Sequence, residues 1–302
     1  MHDLIVVPLD GSKLAERAIA LAVPLAEQHG ARLVLLTVQH PILPLISGGG
    51  VPVRDPALDH ERRQEQERYL NKTTKRLAKQ TGVPVEGRLV VGETAEMIAE
   101  AGASGASGLI VMTTHGRGGF KRFWLGSVTD RVVRRAQVPV LLSTGNRSTG
   151  TRQAGRPLFT HLLVPLDGSQ RAEMALRAAR ALLEGVPGRL TLAHVVHPMM
   201  ALAATKRGRT PDQEIVESYL EPLSREMSGP TLTVDLATSV NATVPTALME
   251  LVKSSHAECI AITSQGAGRL QTFMVGGTTD KLMRTSAVPV LVCPATPEAT
   301  DA

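Results

Sequence analysis

Six consecutive residues of this chain occur twice. Val7-Pro8-Leu9-Asp10-Gly11-Ser12 returns, letter for letter, as Val164-Pro165-Leu166-Asp167-Gly168-Ser169, 157 positions later. Arg32-Leu33 and His40-Pro41 recur at the same offset as Arg189-Leu190 and His197-Pro198. Thr129-Asp130 and Val138-Pro139-Val140-Leu141 recur as Thr279-Asp280 and Val288-Pro289-Val290-Leu291, at an offset of 150. Such self-similarity decides the fold before any local reading does. The chain is a duplicated domain, and its 302 residues suit two domains of about 100–200 residues each. The boundaries read as domain 1 over residues 1–143, a small, polar, Gly-rich linker over 144–157, and domain 2 over 158–296.

Within each copy, apolar runs alternate with amphipathic stretches. Leu4–Leu9, Arg32–Val38, Pro84–Val91, Leu109–Thr113 and Val138–Ser143 read as strands. Between them, Ser12–His29, Asp59–Gln80, Ala95–Ala103 and Ser127–Ala136 read as helices, the first stopped by Gly30. The second copy repeats the order, from strand His161–Leu166 and helix Ser169–Glu184 through helix Asp212–Met227 to strand Val288–Cys293. Strands without polar alternation, separated by helices, mean a mostly parallel sheet covered on both faces. The fold class is therefore α/β, with two tandem doubly wound domains of five strands each.

Hydrophobic residues make up 43% of the chain and aromatics only 2%, so the cores must be aliphatic. No apolar run approaches the ~20 residues of a membrane span, and no signal-peptide pattern opens the chain. A cytoplasmic protein without a membrane partner is expected. Cys259 and Cys293 lie in apolar runs and read as core residues, not a disulfide framework. Residues 1–150 hold 19 Lys+Arg and 14 Asp+Glu, which accounts for the whole net charge of +5. That excess suits an anionic ligand, but a solvated surface explains it equally, and nucleic acid is not expected.

The chemistry concentrates after the fourth strand, in Met112-Thr113-Thr114-His115-Gly116-Arg117-Gly118-Gly119 and, beyond Phe120 to Leu125, Gly126-Ser127-Val128-Thr129-Asp130. A glycine-bearing loop leaves a parallel strand and closes on a helix start, where free N–H groups suit phosphate. Arg117, Lys121 and Arg122 add positive charge. The competing reading is a capping box, Ser127 with Asp130 three residues on. No P-loop is present, and Gly116-x-Gly118 lacks the third glycine of a dinucleotide fingerprint. Asp10 ends the first strand beside a switch point, where α/β sheets bind ligands, though it could equally cap the next helix. His194 and His197 fall on opposite faces of a strand, so they do not share a metal. His40 and His197 read as structural, and Trp124 as loop packing.

The strand-one motif, a loop after strand four close to Gly-x2-Gly-x9-Gly-[Ser/Thr] but with Thr113 and Thr263 at its first position and Gly277 at the last position of the second copy, and the terminal Val-Pro-Val-Leu strand occur in this order twice. The chain resembles a tandem universal stress protein of the adenine-nucleotide-binding type. The resemblance implies sheet order 3-2-1-4-5 in each copy and a stress-response protein that binds ATP or AMP, with Mg as an accompanying ion, as a sensor or switch. It implies contacts from Pro8, Leu9, Asp10, Val38, Met112, Thr113, His115, Gly116, Arg117, Gly119, Gly126, Ser127 and Val128. Thr113 stands where the motif has its first glycine. A weaker second site would use Asp167, Val195, Thr263, Gly266, Gly276, Gly277 and Thr278, where Gly277 replaces the serine and Arg269 is the one loop cation. A nucleotide-independent interaction module is the alternative function, and a slow ATP hydrolase the third. Val138–Ser143 and Val288–Cys293 are apolar terminal strands that need covering. The resemblance implies an intrachain pseudo-dimer through them, antiparallel, and leaves room for a homodimer of chains.

Overall fold

A computed structural model describes residues 1–40, 45–46, 52–53, 56–114, 126–143, 156–199, 211–264 and 277–295. The first copy contains β1 (Leu4–Pro8), α1 (Ile19–His29), β2 (Arg32–Gln39), α2 (Pro56–Gln80), β3 (Val85–Val91), α3 (Thr94–Ala103), β4 (Gly108–Thr113), α4 (Ser127–Arg135) and β5 (Val140–Ser143). A two-residue pair, Leu45–Ile46 with Pro52–Val53, stands outside the main sheet. The second copy contains β6 (His161–Pro165), α5 (Gln170–Leu182), β7 (Gly188–Val196), β8 (Leu232–Val240), α7 (Val244–Ser255), β9 (Cys259–Thr263), α8 (Gly277–Thr285) and β10 (Val290–Cys293). Between β7 and β8 runs α6, built from Pro211–Ile215, a π-helical turn Val216–Leu220, and Glu221–Met227.

All ten strands form one sheet, in the order β8-β7-β6-β9-β10-β5-β4-β1-β2-β3. Each half reads 3-2-1-4-5 in its own strand count, and every ladder within a half is parallel. The halves meet at the one antiparallel ladder of this sheet, Val290 opposite Leu142, Leu291 opposite Leu141 and Val292 opposite Val140. At the offset of 150, Leu141 therefore faces its own counterpart. A pseudo-twofold axis passes through the Leu141–Leu291 pair.

Alternation along β1 explains why its residues are all apolar. Ile5, Val7 and Leu9 join a core under α1, α2 and α5, whereas Leu4 and Val6 join a core under α3, α4, α7 and α8. Each core draws residues from both copies, so the join is packed on both faces. Leu141 and Leu291 are 0% exposed. Truncating a buried leucine to alanine typically costs 2–5 kcal/mol, so these central side chains are major contributors to holding the halves together.

Several boundaries differ from the sequence reading, each for a physical reason. The last strands begin at Val140 and Val290 rather than Val138 and Val288, because Pro139 and Pro289 have no N–H for a ladder. Their carbonyls still accept from Ile110 and Ile260, both at 3.0 Å. The helix expected from Ser12 begins as a 3-10 turn, Ala15–Ala18, before α1. The π turn in α6 was not foreseen. Pro222 follows it in the first turn of Glu221–Met227, and a proline ring inside a continuous helix clashes with the carbonyl four residues back. Widening that turn relieves the clash. Gly30 ends α1 in the left-handed region, φ 63°, as its position after the last helical residue suggested.

Candidate functional site

The described part of the site lies at the carboxyl end of the first half-sheet. There β1 sits between β2 and β4, and the connections on its two sides lead to opposite faces. This is the switch point at which α/β sheets open a crevice. Pro8 ends β1, half-buried; Leu9 is buried, its N–H bonded to the Leu36 carbonyl at 2.8 Å; Asp10 is exposed. Val38 projects half-buried from the end of β2, and Met112 and Thr113 finish β4 in the core.

Asp10 does not cap the helix. Its Oδ1 accepts from the Ser12 N–H at 2.9 Å, and Gly11 between them has φ 81°, which explains a glycine at this position. The cap is Ser12, whose Oγ accepts from the Ala15 N–H at 3.1 Å. The second copy is built alike. Asp167 accepts from the Ser169 N–H at 3.1 Å, Gly168 has φ 85°, and Ser169 caps α5 through the Ala172 N–H. The sequence reading left cap and ligand contact open for Asp10. With capping assigned to the serine, its exposed carboxylate sits at the mouth of the crevice.

Behind this turn, Glu16 receives the Tyr69 hydroxyl at 3.0 Å and the Arg76 guanidinium at 3.2 Å, both from α2. Burial first, then the bond to Glu16, push the Tyr69 phenol above its ordinary pKa. The tyrosine thus stays protonated and donates to the carboxylate.

The start of α4 stands beside the end of β4. The Gly126 N–H donates to the Thr114 carbonyl at 2.8 Å, and the Thr114 N–H donates to Ser143 at 3.0 Å. Thr129, 3% exposed, donates its hydroxyl to the Thr113 carbonyl at 3.1 Å. These bonds hold the first turn of α4 against the sheet. Gly126 is the N-cap, and among the described residues no side chain caps this helix start, so the capping-box reading of Ser127 and Asp130 does not hold. Asp130 instead forms a two-pronged pair with Arg134, both contacts at 2.9 Å. Arg131 and Arg135 reach Glu93 at the start of α3, at 3.0 and 3.1 Å. Ser127 and Val128 lie exposed in the first turn, Val128 by 36%. The arrangement offers uncapped N–H groups, a hydroxyl, an apolar side chain and a carboxylate across one crevice mouth.

His115, Gly116, Arg117, Gly119, Lys121, Arg122 and Trp124 lie outside the described residues, as do Gly266, Arg269 and Gly276 of the second copy. In that copy Asp167 is exposed, Val195 is half-buried on β7, and Thr263 ends β9 in the core. There α8 opens with Gly277 and the half-buried Thr278, and Thr279 donates to the Thr263 carbonyl at 2.9 Å. Sequence reasoning did not assign Thr129, Thr279, Ser12, Ser169 or Tyr69 to the site. The recurrence of Thr-Asp in both copies was the available signal for the threonines.

His194 meets Tyr219 edge-on at 6.5 Å, whereas His197 is exposed and accepts from the Met199 N–H. His40 bonds the Thr94 hydroxyl at 2.6 Å. Cys259 and Cys293 are buried, and neither takes part in a disulfide among the described residues. Among the described residues no cluster of three metal-ligating side chains occurs, and no helix is long and apolar enough to cross a membrane.

Comparison with known proteins matches this chain to the universal stress protein family twice, over residues 1–143 and 158–294. A universal stress protein of Thermus aquaticus is 37% identical over 143 residues, spanning 47% of this chain and 98% of that protein. One from Methanocaldococcus jannaschii is 31% identical over 143 residues, spanning 47% of this chain and 82% of that protein. The crystal structure of a universal stress protein from Archaeoglobus fulgidus shares the fold at 22% identity, with a TM-score of 0.67 over 97% of this chain and 96% of that one. With both halves matched, the chain belongs to the universal stress protein family.

Proposed function

We propose that the first copy binds an adenine nucleotide, ATP or AMP, and that occupancy acts as the signal of a stress-response protein. The observation that carries this reading is the start of α4. Among the described residues it has no side-chain cap, and it is tied by Gly126 and Thr129 to the end of β4, across a switch point from the exposed Asp10. Such a helix end attracts anions through its N–H groups and its partial positive charge. Phosphates would lie on Gly126, Ser127 and the loop glycines, with the base and ribose toward Asp10 and Val38. Met112 and Thr113 would support the floor. Mg would accompany ATP on its phosphates.

The second copy is the weaker binder, because Gly277 lacks the hydroxyl of Ser127. Pairing of β5 with β10 supports an intrachain pseudo-dimer as the working unit, with both crevices on one continuous sheet.

Nucleotide released from the purified chain, identified by mass spectrometry, tests the reading directly. Calorimetric titration should find one tight adenine-nucleotide site per chain, lost in Gly126→Asp. A chain that carries and binds no nucleotide would leave the interaction-module reading in its place.

A further inference from the structure

The two copies touch a second time, away from the strand ladder. The carboxyl end of α1 lies against the carboxyl end of α5. Gln28 Nε2 donates to the Leu182 and Glu184 carbonyls, both at 3.1 Å. The Met1 ammonium pairs with the Glu184 carboxylate. Beneath these contacts sit two histidines, His2 at 3% and His29 at 4% exposure, their rings edge to face with centroids 5.3 Å apart. His2 Nδ1 lies 3.2 Å from the Ser107 carbonyl. Among the described residues, His2 Nε2 and both ring nitrogens of His29 are buried without a well-formed hydrogen bond, the Leu182 carbonyl being the polar group that interacts with His29.

This arrangement suits neutral rings and penalises charged ones. At the offset of 157 the second copy places Phe159 and Val186 where the first has His2 and His29. Phe159 is buried too, so the position asks for packing, and the histidines add a titratable group that packing does not need.

We propose that His2 and His29 form an acid-sensitive latch on the joint between the copies. Neutral rings let the ends of α1 and α5 close, and protonation favours a state in which they part. The latch depends on this contact and not on nucleotide binding.

The groups facing the pair are few. Burial is the largest influence on both histidines. His2 and the Met1 ammonium further disfavour charge on His29, while Glu184 and the Leu182 carbonyl favour it. Around His2, the Ser107 carbonyl, Asp3 and Glu184 favour charge and the ammonium opposes it. For His29 the net result is a fall from 6.5 to about 4. The sign follows. The parted state, with an ordinary imidazole, binds more protons between about 4 and 6.5 than the closed state does. Closing is therefore fully favoured above about 6.5 and weakens as pH falls. At pH 5 the one histidine shifts the balance toward parting by about 30-fold.

Hydrogen exchange reads that balance without requiring the parted state to be populated. Protection of the Gly30 and Ala31 amides, both bonded to the Ala26 carbonyl, and of the Leu183 amide should be followed at pH 7.5 and 5, corrected for intrinsic rates. We expect a loss of about 30-fold in the unmodified chain and no comparable loss in the double variant His2→Phe, His29→Val. Equal protection at the two pH values, or an equal loss in the variant, overturns the latch. Should the variant fail to fold, an NMR titration of His29 in the unmodified chain decides. An ordinary value near 6.5 refutes the proposal, and a value well below it supports the proposal.

Discussion

Duplication supplies an internal control for the buried threonine at the start of α4. Thr129 and Thr279 make the same bond in the two copies, at 3.1 and 2.9 Å, and both are 3% exposed. Valine in place of either keeps the shape and removes the hydroxyl, leaving the Thr113 or Thr263 carbonyl without that donor. A buried polar group that loses its partner costs about 1–3 kcal/mol. For a unit of 150–250 residues each kcal/mol moves Tm by roughly 2–4 °C, so either variant should melt roughly 2–12 °C lower. Only Thr129→Val also loosens the helix start that faces the proposed tight site. Its affinity for ATP should fall several-fold, whereas Thr279→Val should leave the tight site within a factor of about two. Differential scanning calorimetry paired with calorimetric titration checks both halves. Equal loss of affinity in the two variants, or unchanged Tm in both, would refute the reasoning.

Three further outcomes follow from the same geometry. A Cβ added at Gly277 meets none of the described residues within 4 Å, so Gly277→Ser should restore the missing hydroxyl and raise the second site's affinity by about 2–10-fold, one hydrogen bond's worth; a higher Tm with unchanged titration would reduce the change to helix propensity. Asp10→Ala removes the exposed turn bond to the Ser12 N–H and leaves the bond from Ser12 Oγ to the Ala15 N–H in place, so nucleotide affinity should fall several-fold, by more than any loss in Tm accounts for; melting loss without affinity loss would give Asp10 a purely structural part. Val140→Asp places a carboxylate in a ladder position that is 1% exposed, so the halves should separate or the protein precipitate, as seen by small-angle scattering; an unchanged scattering profile would mean the ladder does not hold the joint.

Much of this architecture was legible because both faces of the sheet are covered. A strand buried on both sides reads as an apolar run, and one that repeats 157 residues later reads as a copy. Leu141 and Leu291 could be placed at a joint because a terminal apolar strand needs a partner. The helix start at α4 was harder, since Ser127 is the first helical residue and Gly126 the cap. That shift of one position turns an expected capping hydroxyl outward to the crevice. The bond from Thr129 to Thr113 spans 16 residues and follows no local pattern. The π turn around Tyr219 reflects a backbone clash that composition does not register. His2 and His29 gave no signal at all, because their environment comes partly from α5, on the far side of the linker.

One consequence of the joint concerns both sites together. Helix α4 begins at the first crevice, and its counterpart α8 begins at the second. One turn in, Asp130 pairs with Arg134, and Asp280 with Arg284 at 2.8 Å. Each guanidinium is held above its ordinary pKa first by its own aspartate, and also by the aspartate of the other copy. Each pair therefore lies within electrostatic reach of the other across the pseudo-twofold axis. The strands that follow these helices, β5 and β10, are the ones that form the ladder. A ligand that shifts the start of α4 moves a charge pair sensed by α8 and a strand bonded to the other half. Filling one site should then alter affinity at the other, and by thermodynamic necessity the factor must be the same in both directions. Titration of Gly126→Asp isolates the second site, and titration of a Gly277→Asp variant isolates the first. Their separate affinities, compared with those fitted to the unmodified chain, give the factor. If each site binds in isolation as it does in the intact pair, the joint carries structure alone and no signal.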